Sequence, residues 1–484
     1  MVYGGSFFKE GIFFIVKIPP YETSTRCMSS VWNRLNLTAL PAIFAYCLVM
    51  AVTTPAHSTV FRLFGAGPRA IAMGGAFSAV ADDFTGGYYN PAGLLTTNKT
   101  RVGVGYHYSK LLLEENENSI PLGRSHRDGA ILGFAFTLPF LDFLKDKVAF
   151  GYNLFQPIDY VMSIYVPQPS QPQFVLLESY TQANIMHVAL AVDVVKGIHI
   201  GAGAHFTTDL GGGLDLKPGI RAMQGTNVTM TTVDQDAQPI ISPTAGLMIE
   251  PGRFYDPLEQ LTIAFVWRDR YFLDLSIPVT ILLGSIPLRL DFTSKLIYTP
   301  RMYTFGMAYR LSHDLLISGE ITYNQWSDFL SPSLEIHTDI NVPIIPIHLL
   351  PGVVEDPHFS DTWTPRIGVE YRGITKKSYN IVFRTGYAYD PSPVPEQTGW
   401  SNFLDGNKHI FSTGLGLELK ELFGKDLSNA CPALQGVFQY QWIQKTHHQK
   451  LPSVNPINPG FPTITGEGEV FFFGLALTVE YGGT

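Results

Sequence analysis

The sequence predicts an all-β fold, a transmembrane antiparallel β-barrel of about fourteen strands with an N-terminal hatch, or plug, inside its lumen. Three observations predict it. Of the 484 residues, 45% are hydrophobic and only 15% are charged, against roughly 25% charged in ordinary globular domains. Past the N-terminal region, no stretch approaches the run of about 20 apolar residues that a spanning helix needs, and lipid admits only helices and closed barrels. From Lys99 onward the chain divides into segments that alternate apolar and polar residues, the period of a strand with two unlike faces.

Residues 1–58 read as a signal peptide. Arg34 precedes an apolar run over 35–52, and Thr54-Pro55-Ala56-His57-Ser58 supplies small residues around a cut after Ser58. Met28 is an alternative start, and a single membrane anchor is the other reading of the run. Cys27 and Cys47 fall in this leader, so the mature chain keeps only Cys431 and has no internal disulfide or cysteine-based metal site. Residues 59–98 follow as the hatch. The stretch 65–94 is too rich in Gly and Ala for a lipid-facing strand, and its small side chains suit folding in a confined space. Within it, Gly65-x-Gly67-x-x-Ala70 imitates a dinucleotide fingerprint, but the strand and βαβ unit that such a motif requires are missing.

Residues 99–484 form the barrel, with strands expected to begin near Arg101, Gly129, Lys147, Tyr180, Gly197, Ile240, Glu259, Ser285, Leu315, Trp363, Ser378, Lys408, Ala433 and Glu467. The strand from Ser285 is long and holds Pro300, which implies a bend. In the last strand Phe471, Phe473, Leu475, Leu477, Val479 and Tyr481 share one face, and Gly474, Ala476, Thr478 and Glu480 share the other. Connections after even-numbered strands are mostly short (140–146, 194–196, 311–314, 373–377). Those after odd-numbered strands are long (111–128, 156–179, 208–239, 328–362, 390–407, 446–466). Short turns on one rim and long loops on the other are the pattern of bacterial outer-membrane barrels.

A formal net charge of −8 excludes the basic footprint of a nucleic-acid binder. No catalytic constellation stands out, so no enzymatic activity is expected. Asp234-Gln235-Asp236 lacks the Gly and distant Glu of a calcium loop, and no Gly-x-Ser-x-Gly or phosphate-binding loop occurs. Neither a metal nor a cofactor is expected.

Arg69, Met73, Gly74, Gly75, Asp82, Asp83, Asn90, Pro91, Ala92 and Gly93 match the hatch pattern of the FadL-type outer-membrane long-chain fatty acid transporters, which this segment resembles. The similarity resumes at Met307-Ala308-Tyr309-Arg310 through Tyr323-Asn324-Gln325-Trp326-Ser327, and at Asp361-Thr362-Trp363 with Gly368-Val369-Glu370-Tyr371-Arg372. It continues at Arg384-Thr385-Gly386-Tyr387-Ala388-Tyr389-Asp390 with Ser392-Pro393-Val394-Pro395. Scaffold-type secretion components share the hatch pattern, but the downstream signature favours the transporters.

The resemblance implies passive uptake of hydrophobic molecules, foremost long-chain fatty acids: capture by apolar extracellular loops, movement of the hatch, and sideways release through a kinked third strand. Asn90, Pro91, Ala92 and Gly93 would then gate. Phe272, Leu273, Leu275, Ile277, Ile281, Leu282, Ile344, Ile345 and Leu349 form the apolar capture loops, since exposed apolar patches mark binding surfaces. Gly151 and Pro157 mark the third strand as the lateral opening. A carboxylate ligand favours an inward cation, which the resemblance implies near the top of the fifth strand, where His205-Phe206-Thr207-Thr208-Asp209-Leu210 offers none. Arg384 and Lys295 are the substitutes on the eleventh and eighth strands. Neutral aromatic or alkane hydrocarbons are therefore an alternative cargo, and a non-transport scaffold an alternative role. The expected partners are a hydrophobic small molecule, the lipid and lipopolysaccharide of a Gram-negative outer membrane, and the barrel-assembly machinery during biogenesis. The chain is expected to act as a monomer.

Overall fold

A computed structural model describes residues 14–15, 63–120, 126–138, 147–158, 163–164, 169–177, 185–208, 239–283, 286–329, 334–339, 356–422, 425–427 and 429–482. The expected leader, apart from 14–15, lies outside these residues, as do Ile344, Ile345 and Leu349.

Fourteen antiparallel strands form one closed sheet. They are β1 (Thr100–Glu115), β2 (His126–Thr137), β3 (Val148–Pro157), β4 (Ile185–Val195), β5 (Ile198–Thr208), β6 (Pro239–Ile249) and β7 (Leu261–Arg268), followed by β8 (Arg301–Arg310), β9 (Leu315–Gln325), β10 (Thr362–Thr375), β11 (Tyr379–Asp390), β12 (Lys408–Leu419), β13 (Ala430–Gln449) and β14 (Thr463–Tyr481). Each pairs with its sequence neighbours, and β14 closes on β1 from Thr100 opposite Tyr481 to Glu115 opposite Gly466. Closure leaves no edge with unpaired backbone groups, the condition for a sheet in lipid. The alternation is obeyed: Phe473, Leu475 and Leu477 point outward, half exposed at 50–52%, while Ala476 between them is 1% exposed on the lumen side. Tyr303, Met307 and Tyr309 on β8 and Trp363, Ile367 and Tyr371 on β10 continue the outer apolar belt.

The long connections emerge together at one rim and the short ones at the other, as the loop lengths predict. The eighth strand departs from expectation. Residues Ile286–Thr299 pair with Tyr271–Leu283, and Leu334–Asp339 adds a third strand, making a sheet separate from the barrel. The barrel strand begins instead at Arg301. Both hairpin arms alternate with the same period as barrel strands, so pattern alone merges them with β8. Pro300, which has no N–H to give a ladder, marks a change of sheet rather than a bend. Hence Phe272, Leu273, Leu275, Ile277, Ile281 and Leu282 lie on an extended hairpin arm rather than in a loop, and Lys295 lies on its partner arm, off the barrel wall.

The third strand also differs. It pairs without a register shift with β2 (Gly129–Pro157 to Thr137–Ala149) and with β4 (Val148–Val192 to Phe155–Ile185), so the ladder is unbroken on both sides at Gly151, while Pro157 is paired on the β2 side, beyond the last pair with β4. Gly151 has a packing reason. A Cβ there would sit 2.8 Å from Leu94 of the plug.

Candidate functional site

Residues 63–99 fill the lumen. Two short helices, α1 (Pro68–Ala72) and α2 (Gly86–Tyr89), and a 3-10 turn at Pro91–Leu95 are joined by tight bends. The small side chains let this backbone reach the wall itself. Gly74, at φ +65°, lies where a Cβ would be 2.8 Å from the backbone nitrogen of Tyr387, and L-residues avoid that conformation. On the wall, Gly246 leaves the space that the Asn90 amide occupies, with Asn90 Oδ1 2.0 Å from the position a Cβ would take.

The plug is tied to the barrel on two flanks. Its first half leans on β10–β14 through ion pairs. Arg69 donates to Glu370 of β10 at 2.7 and 3.0 Å and to Asp82 at 2.5 Å, and Arg384 of β11 donates to the same Glu370 at 2.6 Å. Arg384 also reaches Gln435 Oε1 at 2.5 Å. Burial pushes the nearby Asp83 carboxyl up, while Arg69 and the Thr85 hydroxyl pull it down. The second half leans on β2–β7 through uncharged acceptors. Asn153 of β3 donates to the Phe84 carbonyl at 2.7 Å, Arg268 of β7 to the Tyr88 carbonyl at 2.6 Å, and Asn90 to the Leu247 carbonyl of β6 at 3.3 Å.

Asn90 is the knot of this half. Its Oδ1 accepts from Ala92 N at 3.0 Å and caps the 3-10 turn, while its amide donates to Ser78 O at 3.0 Å. Pro91 occupies the first position of that turn, where no N–H is needed. Ala92 is fully buried against Ala81 and Met248, and the Gly93 N–H returns to the Asn90 carbonyl. The four residues thus form one buried corner against β5 and β6.

Above the plug lies a cavity of 130 Å³ lined by Leu63, Phe64, Tyr88, Tyr89, Val266, Arg268, Met302, Glu320, Arg366 and Lys408 among others. Below it lie two polar spaces of 290 and 330 Å³ that open toward the short-loop rim. Arg384 faces the lower side and is committed to Glu370 and Gln435, so it is not a free head-group receptor for the upper cavity. Arg268, at the end of β7, lines the upper cavity. Sequence reading missed it because it searched the fifth strand, whereas the lumen brings the top of β7 beside His205 and the Tyr88 ring.

Described loop segments meet at the mouth. Residues 169–177 dip inward and bond to 402–405 through Gln173 N to Asn402 O, Leu404 N to Gln173 O and Leu176 N to Asp405 Oδ1. Val175, Trp326, Phe329, Phe359 and Phe403 pack there, with the Phe329 and Phe359 rings stacked at 4.1 Å. Phe174 is fully buried in the cluster that contains Phe64 of the plug. Apart from Trp326, which belongs to a stretch that carries the family resemblance, these aromatics went unassigned in the sequence, where their only signal was their position in long loops.

No curated protein matches the chain in sequence. Among solved structures, a Pseudomonas aeruginosa FadL homologue is similar with a TM-score of 0.53 at 14% identity, over 88% of this chain and 98% of that one. At that identity the likeness concerns the fold alone. The Ralstonia pickettii toluene transporter TbuX (TM-score 0.48, 18% identity, 86% of this chain and 99% of that one) and the P. putida toluene transporter TodX (0.48, 14%, 87% and 100%) are also similar. The sequence model of the outer membrane protein transport proteins (OMPP1/FadL/TodX) matches residues 47–430, and this chain, a plugged barrel of the outer membrane, belongs to that family of transporters for hydrophobic molecules.

Proposed function

We propose that the chain takes up long-chain amphipathic molecules, fatty acids first among them, across the outer membrane without an energy source. The observation that carries this reading is the cavity held between an aromatic mouth and a plug fastened unequally on its two flanks. A molecule caught at the apolar mouth gains about 0.8 kcal/mol for each buried CH₂. The hairpin arm with Phe272, Leu273, Leu275, Ile277, Ile281 and Leu282 adds apolar positions beside that mouth. At 130 Å³ the cavity is well below the roughly 300 Å³ or more of pockets that enclose larger ligands. Passage of a long chain therefore requires the plug to shift. The corner at Asn90, Pro91, Ala92 and Gly93 is the proposed pivot. Withdrawal of Leu94 from Gly151 would free the lumen face of β3 beside Pro157, where lateral release is proposed.

A second reading, neutral monoaromatic cargo, is favoured by the same volume, because a cavity of about 150 Å³ takes up benzene. Uptake of labelled oleate and of toluene by the host, with and without the gene, tests both. Loss of oleate uptake supports the first reading and loss of toluene uptake alone the second. Unchanged uptake of both removes the transport role.

A further inference from the structure

Of the two polar spaces below the plug, the one of 290 Å³ is walled by parts of the plug and by β1 and β10–β14. Five cations line it, and four have carboxylate partners. Arg69 pairs with Asp82 and Glu370, Arg384 with the same Glu370, Lys99 with Glu480 at 3.0 Å, and Arg372 with Glu418 at 3.4 Å. Arg101, the second residue of β1, is the exception. It is 1% exposed, and among the described residues no carboxylate bonds to it. Its Nη2 donates to the Leu94 carbonyl at 2.6 Å, near the end of the 3-10 turn of the plug, while Nε and Nη1 are buried with no acceptor. Nε of Arg372, on β10 and lining the same space, is idle too. Asp83, the remaining carboxylate of the lining, accepts from the Thr85 amide and hydroxyl at 2.7 and 2.6 Å. A buried charge without a counter-charge is costly, and idle buried donors require an explanation.

We infer that this space binds a small oxyanion, inorganic phosphate foremost, which enters from the periplasmic side, and that the bound ion braces the root of the plug against β1. The space opens toward the rim of short turns, which in outer-membrane barrels faces the periplasm. A guanidinium suits such a ligand because its planar N–H groups match the oxygens of phosphate. Size decides the source of the ion. A space of 290 Å³ inside the lumen has no room for the acyl chains of a phospholipid, whereas a free ion and a few waters fit. The upper cavity shares no lining residue with this space, so the ion and the cargo do not compete. With the ion in place, Arg101 is held both by its ligand and by the Leu94 carbonyl. An ion that binds when Arg101 sits at Leu94 stabilises that arrangement by mass action. Periplasmic phosphate therefore tightens the seat of the plug where it hands over to the barrel wall.

The inference is independent of what the barrel carries, and its test uses no cargo. The full chain, purified in detergent, is titrated with inorganic phosphate against a chloride background of equal pH and ionic strength. Wild type is expected to bind phosphate, and Arg101→Gln to lose about tenfold in affinity, the scale of one hydrogen bond to a charged group. That variant also loses the bond to Leu94, so Thr478→Glu is the second. Thr478 lines the space, and its hydroxyl donates to the Ala433 carbonyl at 3.3 Å, away from the plug. A fixed carboxylate there supplies the missing negative charge, and phosphate affinity should fall by a similar factor while Arg101 stays on Leu94. Full affinity in either variant, or no binding by wild type, overturns the site. In wild type, phosphate should also slow amide exchange in residues 94–99, and unchanged exchange there overturns the brace.

Discussion

The two flanks of the plug are held by different physics. Toward β10–β14 one carboxylate, Glu370, is shared by the guanidinium groups of Arg69 and Arg384, all three nearly buried. Toward β2–β7 the ties are single hydrogen bonds to main-chain carbonyls, from Asn153, Arg268 and Asn90. Removing one partner of a buried ion pair strands a charge and costs about 3–5 kcal/mol, whereas a typical hydrogen bond contributes about 1 kcal/mol. If the plug moves as proposed, the difference teaches which side is expected to give: the charged flank would stay fixed, and the flank that faces β3 would open.

The largest effect is therefore expected from Glu370→Gln, which leaves two guanidinium groups without their common acid. Detachment of the first half of the plug should lower the temperature at which the barrel loses its compact electrophoretic form, and should raise the steady current in planar bilayers. Wild-type values for both would break the comparison. Next comes Asn90→Ala, which removes a cap worth about 0.5–2 kcal/mol along with the bonds to Ser78 and Leu247. Uptake should fall while membrane insertion stays normal. Normal uptake would take away the pivot assigned to this corner.

Asn153→Ala deletes one bond to the Phe84 carbonyl, about 1 kcal/mol. Faster amide exchange in residues 84–89 with little change around 69–74 would sharpen the contrast between flanks. An equal rise in both segments would contradict it. The smallest effect belongs to Arg270→Ala. Its pairing with Asp328 at the rim is 42% and 36% exposed, and exposed pairs contribute under about 1 kcal/mol. Thermal stability and uptake should match wild type, and a clear loss in either would show that rim charges matter as much as lumen charges.

Much of the barrel was legible because lipid on one side and a small-residue lumen on the other impose a strict period of two. Thirteen of the fourteen expected strands fall close to observed ones. The exception has a physical cause, since a hairpin that belongs to a separate sheet alternates just as a wall strand does and periodicity carries no information about which sheet a strand joins. The site was less legible. Arg384 reads as a lumen cation, but whether it is free depends on Glu370 and Gln435, which reach it only across closed neighbouring strands. Arg268 sits in an apolar strand and gains its setting from Tyr88, His187 and His205, whose sequence positions give no hint of their meeting. Gly151 reads as a point of distortion, while the structure gives it the simpler task of making room for Leu94.

The pairing of β1 with β14 carries a further consequence for biogenesis. Thr100 meets Tyr481 across almost the whole described chain, and the plug is joined directly to that first strand. The cylinder cannot be zipped shut until the final strand arrives. Other strands pair with neighbours in sequence, whereas this seam joins the two far ends of the barrel, and the stopper hangs from one of its two sides.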